Sequence, residues 1–309
     1  MQAPTVSIIF VNYNTSRLIN DSIRSIFRHV RDISYEIIVV DNATEQLEQV
    51  IEAAGDERIH LLQLPSNVGF GPANNAAAQI ARGRNLFILN PDTLLINNAV
   101  KILSDYLDDH PETGICGGNL YNSDLRPNFS LSHFTPGFLH EVNDLLRNIP
   151  VKIIYGNGAY FNTSDKEINI PFITGADIMI RTSLFHSLGG FSSDFFLYYE
   201  DTDLCRRVEK AGYKITSVPT AKIIHLEGGS CDFKPINPVT INYEEQGRSI
   251  YLRRHASFVN RVISNAIHLS IYTLGIIFTR NPFFRYKLRA SYNAIFHPTA
   301  KTKIPDTLK

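Results

Sequence analysis

Residues 86–92 read Leu-Phe-Ile-Leu-Asn-Pro-Asp, a short apolar run followed directly by an acidic turn. The run predicts a buried strand, which places Asp92 at the carboxyl end of that strand. Open α/β sheets bind their ligands at this end. One carboxylate together with substrate phosphates is also how a protein usually holds Mg²⁺ or Mn²⁺. The stretch therefore predicts an α/β sheet with a metal-dependent site at its edge, whereas Asn-Pro-Asp alone also fits a plain turn.

The first 120 residues alternate between strand and helix patterns. Strands are predicted at residues 6–11, 36–40, 59–62 and 86–89. Helices are predicted after these strands. The apolar face of the first helix is formed by Ile19, Ile23, Ile26 and Phe27. The other helices are predicted at about 45–54, at 72–81 with Pro72 as the first residue, and at 99–110. Repeated βαβ units predict a mainly parallel central sheet with helices on both faces.

Composition bounds the class of protein. The 309 residues can bury one large α/β domain with an appendage. The three cysteines form no Cys-x-x-Cys pair, so neither a disulfide framework nor a zinc site is predicted. The first residues carry no basic segment of the signal-peptide kind, so a cytoplasmic protein is expected.

Zero net charge conceals a strong asymmetry. The segment 247–309 holds eleven Lys or Arg residues and one acidic residue, a balance of +10. Within it, residues 262–279 carry no charge and are rich in Ile and Leu. This apolar content favours an anionic membrane surface over nucleic acid as the partner of the tail. The stretch is short and polar for a spanning helix, so we expect it to lie in the interface or, as an equally open alternative, to pack against the body.

Polar residues follow the predicted strands. Tyr13 could stack on a base, and Asp41 could accept hydrogen bonds from an imide N–H or a ribose hydroxyl. Each residue alone is better explained by turn or capping chemistry, but their recurrence on successive strand ends favours a nucleotide site. The sequence lacks a Gly-x-Gly-x-x-Gly after its first strand and a Gly-Lys-Ser/Thr phosphate loop, which disfavours dinucleotide and ATP-cradle sites.

Seven segments occur in the order typical of one enzyme family: VSIIFVNYNT (6–15), VVDNAT (39–44), NVGFGPANN (67–75), LFILNPDT (86–93), FITGADIMI (172–180), FFLYYEDTDLCRR (195–207) and HLEGGS (225–230). They resemble inverting family 2 glycosyltransferases of the GT-A fold, above all the rhamnosyltransferase-like branch that builds bacterial surface polysaccharides. The likeness spans roughly residues 5–230.

The resemblance implies a set of donor and metal residues. Asp92 would ligate the metal, with Asn90 replacing the first acid of the family's Asp-x-Asp element. In several relatives a histidine in the place of His225 completes the metal shell, although a lone strand-end histidine is more often structural. Imidazole suits Mn²⁺ better than Mg²⁺. The nucleotide-sugar-binding candidates are Val11, Tyr13, Asp41, Gly69, Asn74, Asn90 and Asp92.

The second half carries the chemistry that the resemblance implies. The general base is assigned to the pair Glu200 and Asp201, with Asp201 preferred. Acidic residues in a first helical turn are also expected from the helix dipole alone. Gly175, Ala176 and Asp177 are the acceptor-binding candidates, and the glycines after His225 would approach a diphosphate.

The sequence thus predicts an inverting transferase that moves a sugar, rhamnose favoured, from dTDP-rhamnose or a UDP-sugar to a glycan or lipid-linked acceptor. The expected location is the inner face of the plasma membrane, with no nucleic acid partner. Two alternatives stay open: a sugar-phosphate nucleotidyltransferase and an inactive saccharide-binding scaffold. The predicted parts are a nucleotide-sugar half (1–120), an acceptor and catalytic half (121–245) and a basic, apolar helical tail (246–309).

Overall fold

The computed structural model describes residues 3–43, 46–226 and 238–297. The first part holds β1 (Val6–Asn12), α1 (Ser16–His29), β2 (Tyr35–Asp41), α2 (Leu47–Val50), β3 (Ile59–Gln63), α3 (Phe70–Ile80), β4 (Asn85–Leu89), β5 (Thr93–Leu95), α4 (Ala99–Asp109) and β6 (Thr113–Tyr121). The next part holds β7 (Leu131–Ser132), α5 (Phe138–Leu145), α6 (Ile149–Tyr155), a 3₁₀ turn (Gly156–Ala159), β8 (Ile168–Asn169), β9 (Phe172–Ile173), β10 (Asp177–Arg181), α7 (Thr182–Ser187), α8 (Glu200–Lys210) and β11 (Lys214–His225). Three helices end the described chain: α9 (Pro238–His255), α10 (Phe258–Thr279) and α11 (Pro282–Phe296).

The central sheet has the strand order β3-β2-β1-β4-β10-β6-β11-β5, with β8 paired to β11. The pairs β1–β2, β1–β4, β2–β3 and β6–β11 are parallel, and β10 runs antiparallel to both β4 and β6. Since β1, β2 and β4 are parallel, their carboxyl ends meet at one edge of the sheet. The predicted α/β fold is confirmed in its mostly parallel sheet and its helical tail.

Helices cover both faces of the sheet because the strand side chains alternate between two cores. Ile8 and Phe10 of β1 pack with α1 and α4, whereas Ile9 and Val11 pack with α3 and α8. Strands buried on both sides are expected to be continuously apolar, as residues 6–11 nearly are. Cys116 and Cys205 are buried free thiols.

The predicted helix at 45–54 was wrong in extent, because α2 spans only Leu47–Val50. Among the described residues of this segment Leu47 and Ile51 are buried, while Val50, Ala53 and Ala54 are only partly buried against the core, which is limited packing for a longer helix. Helix α3 begins at Phe70, before the predicted start at Pro72. Proline is tolerated there because the first N–H groups of a helix have no partner within it.

The tail is helical, and α10 is long and apolar enough to span a membrane by length and composition among the described residues. Its best window has a mean hydropathy of 1.5 and is 17% buried. Such a helix is weak evidence of spanning by itself. Helix α9 crosses position 246, so the division into parts at that position stays a prediction.

Candidate active site

Asp92 and His225 lie together at the sheet edge. The turn after β4 is closed by the Thr93 N–H and Oγ1, which donate to the carbonyl of Asn90 at 3.3 and 2.7 Å. Strand β5 then pairs antiparallel with β11, which places His225 opposite Thr93. The Nε2 of His225 lies 3.4 Å from Oδ1 of Asp92, and the Leu226 N–H donates to the Asp92 carbonyl at 2.9 Å. Two residues 133 positions apart therefore converge, as the resemblance implies.

This pair could supply two ligands to a divalent cation, and the rest would have to come from substrate. Within the described ranges no cluster of three or more His, Cys, Asp or Glu side chains could hold a metal. One carboxylate and one imidazole suit Mn²⁺ and leave positions for diphosphate oxygens. The Nδ1 of His225 is buried without a hydrogen-bond partner in the described part of the chain. Residues 227–230, the glycines after His225 among them, lie outside the described residues.

The predicted nucleotide residues of β1 and β2 occupy adjacent strand ends, since Asn12 pairs with Asp41 in register. The amide of Asn12 donates to Oδ1 of Asp41 at 2.9 Å, and the amide of Gln63 donates to Oδ2. Asp41 is fully buried, whereas Tyr13 is 43% exposed and presents its ring at this edge. Val11 is largely buried in the core. Binding of a base by these residues stays a prediction.

Gly69 brings the loop before α3 against the segment that leads to α8. Its φ is +92°, and a Cβ there would lie 2.4 Å from the carbonyl oxygen of Phe196. The neighbouring Phe70 N–H donates to that same carbonyl at 2.9 Å. Only glycine permits this approach. Asn74 is buried one turn into α3, where its amide donates to the Phe70 carbonyl at 2.9 Å.

The predicted general base begins helix α8. The Oδ2 of Asp201 accepts from the Gly175 N–H at 2.9 Å, and its Oδ1 accepts from the Thr202 N–H at 2.6 Å. Tyr198 and Tyr199, directly before the pair, both have left-handed backbone angles, with φ of 69° and 70°. Consecutive non-glycine residues in this region cost free energy and cluster at functional sites.

Electrostatics separate the two carboxyls. Burial raises the pKa of Asp201, while hydrogen bonds from Thr202 and Gly175 oppose that rise. Burial, followed by the neighbouring charge of Asp201, raises the pKa of Glu200 well above its ordinary value. The Oε2 of Glu200 has no hydrogen-bond partner among the described residues. Because N–H donors favour the anion, the contacts to Gly175 and Thr202 favour charge on Asp201 over Glu200, and the role of Asp201 as the base stays a prediction.

The three acceptor-binding candidates lie between the Asp92 turn and Asp201. Gly175 contacts Asp201, and the carbonyl of Ala176 accepts from the Asn90 N–H at 3.0 Å. Asp177 is fully buried, and its Oδ2 accepts from the Gly118 N–H at 2.6 Å. Burial raises the pKa of Asp177 well above its ordinary value. Neither Ala176 nor Asp177 has exposed surface, and their acceptor role stays a prediction.

Helix α9 packs against α8 and the segment that leads into it, which the sequence did not reveal. Its Tyr243 ring stacks on Phe196 with the ring centroids 4.7 Å apart. A Cβ at Gly247 would lie 2.8 Å from the Tyr198 carbonyl oxygen. At the end of the helix, the Nε2 of His255 lies 2.8 Å from Oδ1 of the buried Asp203 of α8. A glycine inside a helical pattern signals close packing, and Gly247 was the available clue.

Residues 7–189 match Glycosyl transferase family 2, and residues 159–228 match the N-terminal domain of galactosyltransferase. The chain belongs to glycosyl transferase family 2, which confirms the resemblance.

Three curated relatives share between 22% and 27% of their aligned residues with this chain. The uncharacterized protein y4gI of Sinorhizobium fredii is 27% identical over 74% of this chain and 25% of its own length. The N-acetylglucosaminyl-diphospho-decaprenol L-rhamnosyltransferase of Mycobacterium tuberculosis is 22% identical over 67% of this chain and 72% of its own. The dTDP-rhamnosyl transferase RfbF of Shigella flexneri is 23% identical over 88% of each. The chain thus spans a quarter of y4gI and most of the two rhamnosyltransferases.

The same fold occurs in GalNAc-T7, solved with UDP, GalNAc and Mn²⁺. The TM-score is 0.61 at 12% identity, covering 96% of this chain and 57% of GalNAc-T7. At this identity the likeness establishes the fold alone, which confirms the predicted GT-A architecture.

Proposed function

We propose that this chain is an inverting glycosyltransferase that moves a sugar from a nucleoside diphosphate to an acceptor hydroxyl. One observation carries the proposal: the dipeptide Gly175-Ala176 joins the two halves of the site. The Gly175 N–H donates a hydrogen bond to the Asp201 carboxylate. The Ala176 carbonyl accepts one from the Asn90 N–H, in the turn that carries Asp92. A base and the residues for a leaving diphosphate are therefore fixed to one short stretch of backbone.

In this mechanism Asp201 accepts the proton of the acceptor hydroxyl. The acceptor oxygen forms a bond to the anomeric carbon from the face opposite the diphosphate, and the bond from that carbon to the diphosphate breaks. The bonding electrons leave with the diphosphate, so the anomeric configuration inverts. Asp92 and His225 would hold a divalent cation, Mn²⁺ or Mg²⁺, which neutralises charge on the leaving group when bound.

The names of two relatives support a choice of donor and acceptor. We favour dTDP-rhamnose as the donor because RfbF carries that donor in its name, and a UDP-hexose is the second choice. A lipid-linked glycan is the preferred acceptor because the mycobacterial relative is named for one. The enzyme would then work in bacterial surface polysaccharide synthesis, at the cytoplasmic face of the plasma membrane.

The test compares two substitutions in adjacent carboxyls. Asp201→Asn keeps the size of the side chain but accepts no proton, so turnover should fall at least about a hundredfold with donor affinity nearly unchanged. Glu200→Gln replaces a carboxyl group whose neutral form burial already favours, so this substitution should lower turnover less than Asp201→Asn does. Release of nucleoside diphosphate with each donor measures turnover, and calorimetry measures donor binding. An inactive Glu200→Gln beside an active Asp201→Asn would move the base to Glu200.

A further inference from the structure

The buried residues of helix α10 are polar, whereas most of its large exposed side chains are apolar, the reverse of the usual surface helix of a soluble protein. Its buried residues are Ser264 and His268. Seven large apolar side chains are exposed instead: Phe258, Val259, Val262, Ile263, Leu274, Ile277 and Phe278. An apolar outer stripe on a water-facing helix indicates a surface that meets something other than water.

A buried charge network fixes the inner side of α10 to the body. The ring of His268 lies 3.0 Å from Glu141 of α5 through Nδ1 and 2.8 Å from Glu245 of α9 through Nε2. Arg248 of α9 donates to Glu141 through Nε at 2.8 Å. If α10 left the body to span a bilayer, these carboxylates would lose the partners that compensate their burial. The network therefore argues that α10 stays on the body.

Helices α5 and α6 extend the apolar outer surface. The start of α5 contacts α10, because the Phe138 N–H donates to Oδ1 of Asn260 at 2.9 Å. Of the 23 exposed large apolar residues in the described chain, fourteen belong to these three helices and Leu146 lies in the connection between α5 and α6. The eight on α5, α6 and the short connection between them are Phe138, Leu139, Leu145, Leu146, Ile149, Ile153, Ile154 and Tyr155. We call these fifteen side chains the apolar platform.

Exposed basic residues predominate on the helices of the apolar platform and on α11, where Asp144 of α5 is the one exposed acidic residue among the described positions. Arg147 and Lys152 are exposed beside α5 and α6, and Arg280 is exposed at the end of α10. Arg285 and Arg289 are exposed on α11, and no acidic residue occurs between positions 246 and 297. An apolar face with a cationic rim matches the boundary between the acyl chains and anionic headgroups of a membrane leaflet.

We propose that the apolar platform inserts into one leaflet of an anionic lipid bilayer, with α10 lying in the membrane plane rather than crossing it. The proposal extends the proposed function, in which a lipid-linked acceptor lies in the same leaflet. It assigns α5 and α6 of the catalytic half to the contact, beside the tail helix.

Vesicle co-sedimentation with the full chain tests the contact. The double variant I153E/F278E places one charge on α6 and one on α10, both within the apolar platform. The two side chains are 78% and 79% exposed, so folding should be unaffected. Partitioning onto vesicles with anionic phospholipid should fall about a hundredfold, because two buried apolar side chains are lost from the contact. Ile80→Glu, an exposed isoleucine on α3 outside the platform, is the matched control and should bind as the unchanged chain does. Unaltered melting temperatures check folding.

Measuring the depth of α10 in the bilayer distinguishes a helix that lies in the membrane plane from one that spans the membrane. Single cysteines at Val262, Ser270 and Ile277 of α10 would carry a fluorophore in a Cys231→Ser background, because Cys116 and Cys205 are buried. Quenching by lipids labelled at known depths should place all three at a similar, shallow depth of about 5–10 Å. A gradient with Ser270 at the bilayer centre would mean that α10 spans the membrane and would overturn the proposal.

Two further results would also overturn it. One is vesicle binding that the double variant leaves unchanged. The other is a full chain that ignores vesicles but forms a dimer that I153E/F278E dissolves, which would make the platform a contact between two copies. Transfer to a water-soluble acceptor is measured alongside. It reports on the proposed function independently, because the substituted residues do not contact Asp201 or Asp92.

Discussion

Gly175→Ala tests whether the position of the Asp201 carboxylate limits catalysis. An added Cβ would lie 3.0 Å from Oδ2 and 3.1 Å from Cβ of Asp201, closer than ordinary packing allows. The backbone of Gly175 needs no left-handed conformation, so alanine strains nothing else there. Relief must come from a shift of Asp201 by a few tenths of an ångström, against the hold of the Thr202 N–H.

The expected loss follows from that shift. A misplacement of about 1 Å in a catalytic group lowers the rate about a hundredfold, so a smaller shift should lower kcat about tenfold. This corresponds to about 1.4 kcal/mol in the activation free energy. Donor affinity should stay within about twofold, because the crowding acts on the base rather than on the diphosphate.

Steady-state transfer and donor calorimetry measure both quantities. Gly55→Ala is the control, since nothing lies within 4 Å of a Cβ at that position. A Gly175→Ala enzyme with full kcat, beside an inactive Asp201→Asn enzyme, would refute the positional argument. Loss of donor affinity with kcat retained would mean that Gly175 contacts the donor instead.

Three other predictions concern the cation, the tail and the helix that carries the base. Asp92→Ala and His225→Ala should each weaken Mn²⁺-dependent nucleotide binding in calorimetry while leaving metal-free binding similar, and equal binding with Mn²⁺ would remove that residue from the site. For His268, burial lowers the pKa but hydrogen bonds to two carboxylates outweigh it, so the folded pKa is above 6.5. That residue therefore stabilises the fold below pH 6.5, and the melting temperature should fall as pH rises through the raised pKa, a slope that His268→Asn should flatten. His255→Ala should lower kcat without changing donor affinity, because the ring contacts the Asp203 carboxylate of the helix that begins with Glu200 and Asp201, and His255→Gln should restore part of the rate.

The sequence predicted the structure well where a single strand and the turn after it determine the local geometry. The strands around β1 and β4 were predicted nearly to the residue, because their apolar runs and polar ends are local signals. The convergence of Asp92 and His225 was reached only through the family resemblance. No local pattern encodes it, since it depends on β5 pairing with β11 across more than a hundred residues.

Other features were beyond the sequence for the same reason. The length of helix α2 was overestimated because the extent to which its segment packs against the core cannot be known from the segment alone. Gly175 was predicted only as an acceptor-binding residue, whereas its position shows a second constraint, the close approach of the Asp201 side chain. Asp177 looked available to a ligand because burial cannot be read from one strand. Such outcomes arise from contacts between distant elements, which composition and periodicity do not contain.

Helix α9 explains how the left-handed backbone at Tyr198 and Tyr199 can persist. Strain of about 1–3 kcal/mol per residue survives only where the surroundings fix it. On one side of α9, Gly247 packs against both tyrosines. On the other side, Arg248 and Glu245 bind the network that holds α10. The same helix therefore supports the start of α8 and the apolar platform, so the orientation of the base relative to a membrane surface would be set by α9. The second half of α9 packs on Tyr198 and Tyr199 through Gly247 and on Asp203 through His255, so removal of residues 246–309 would also remove these contacts.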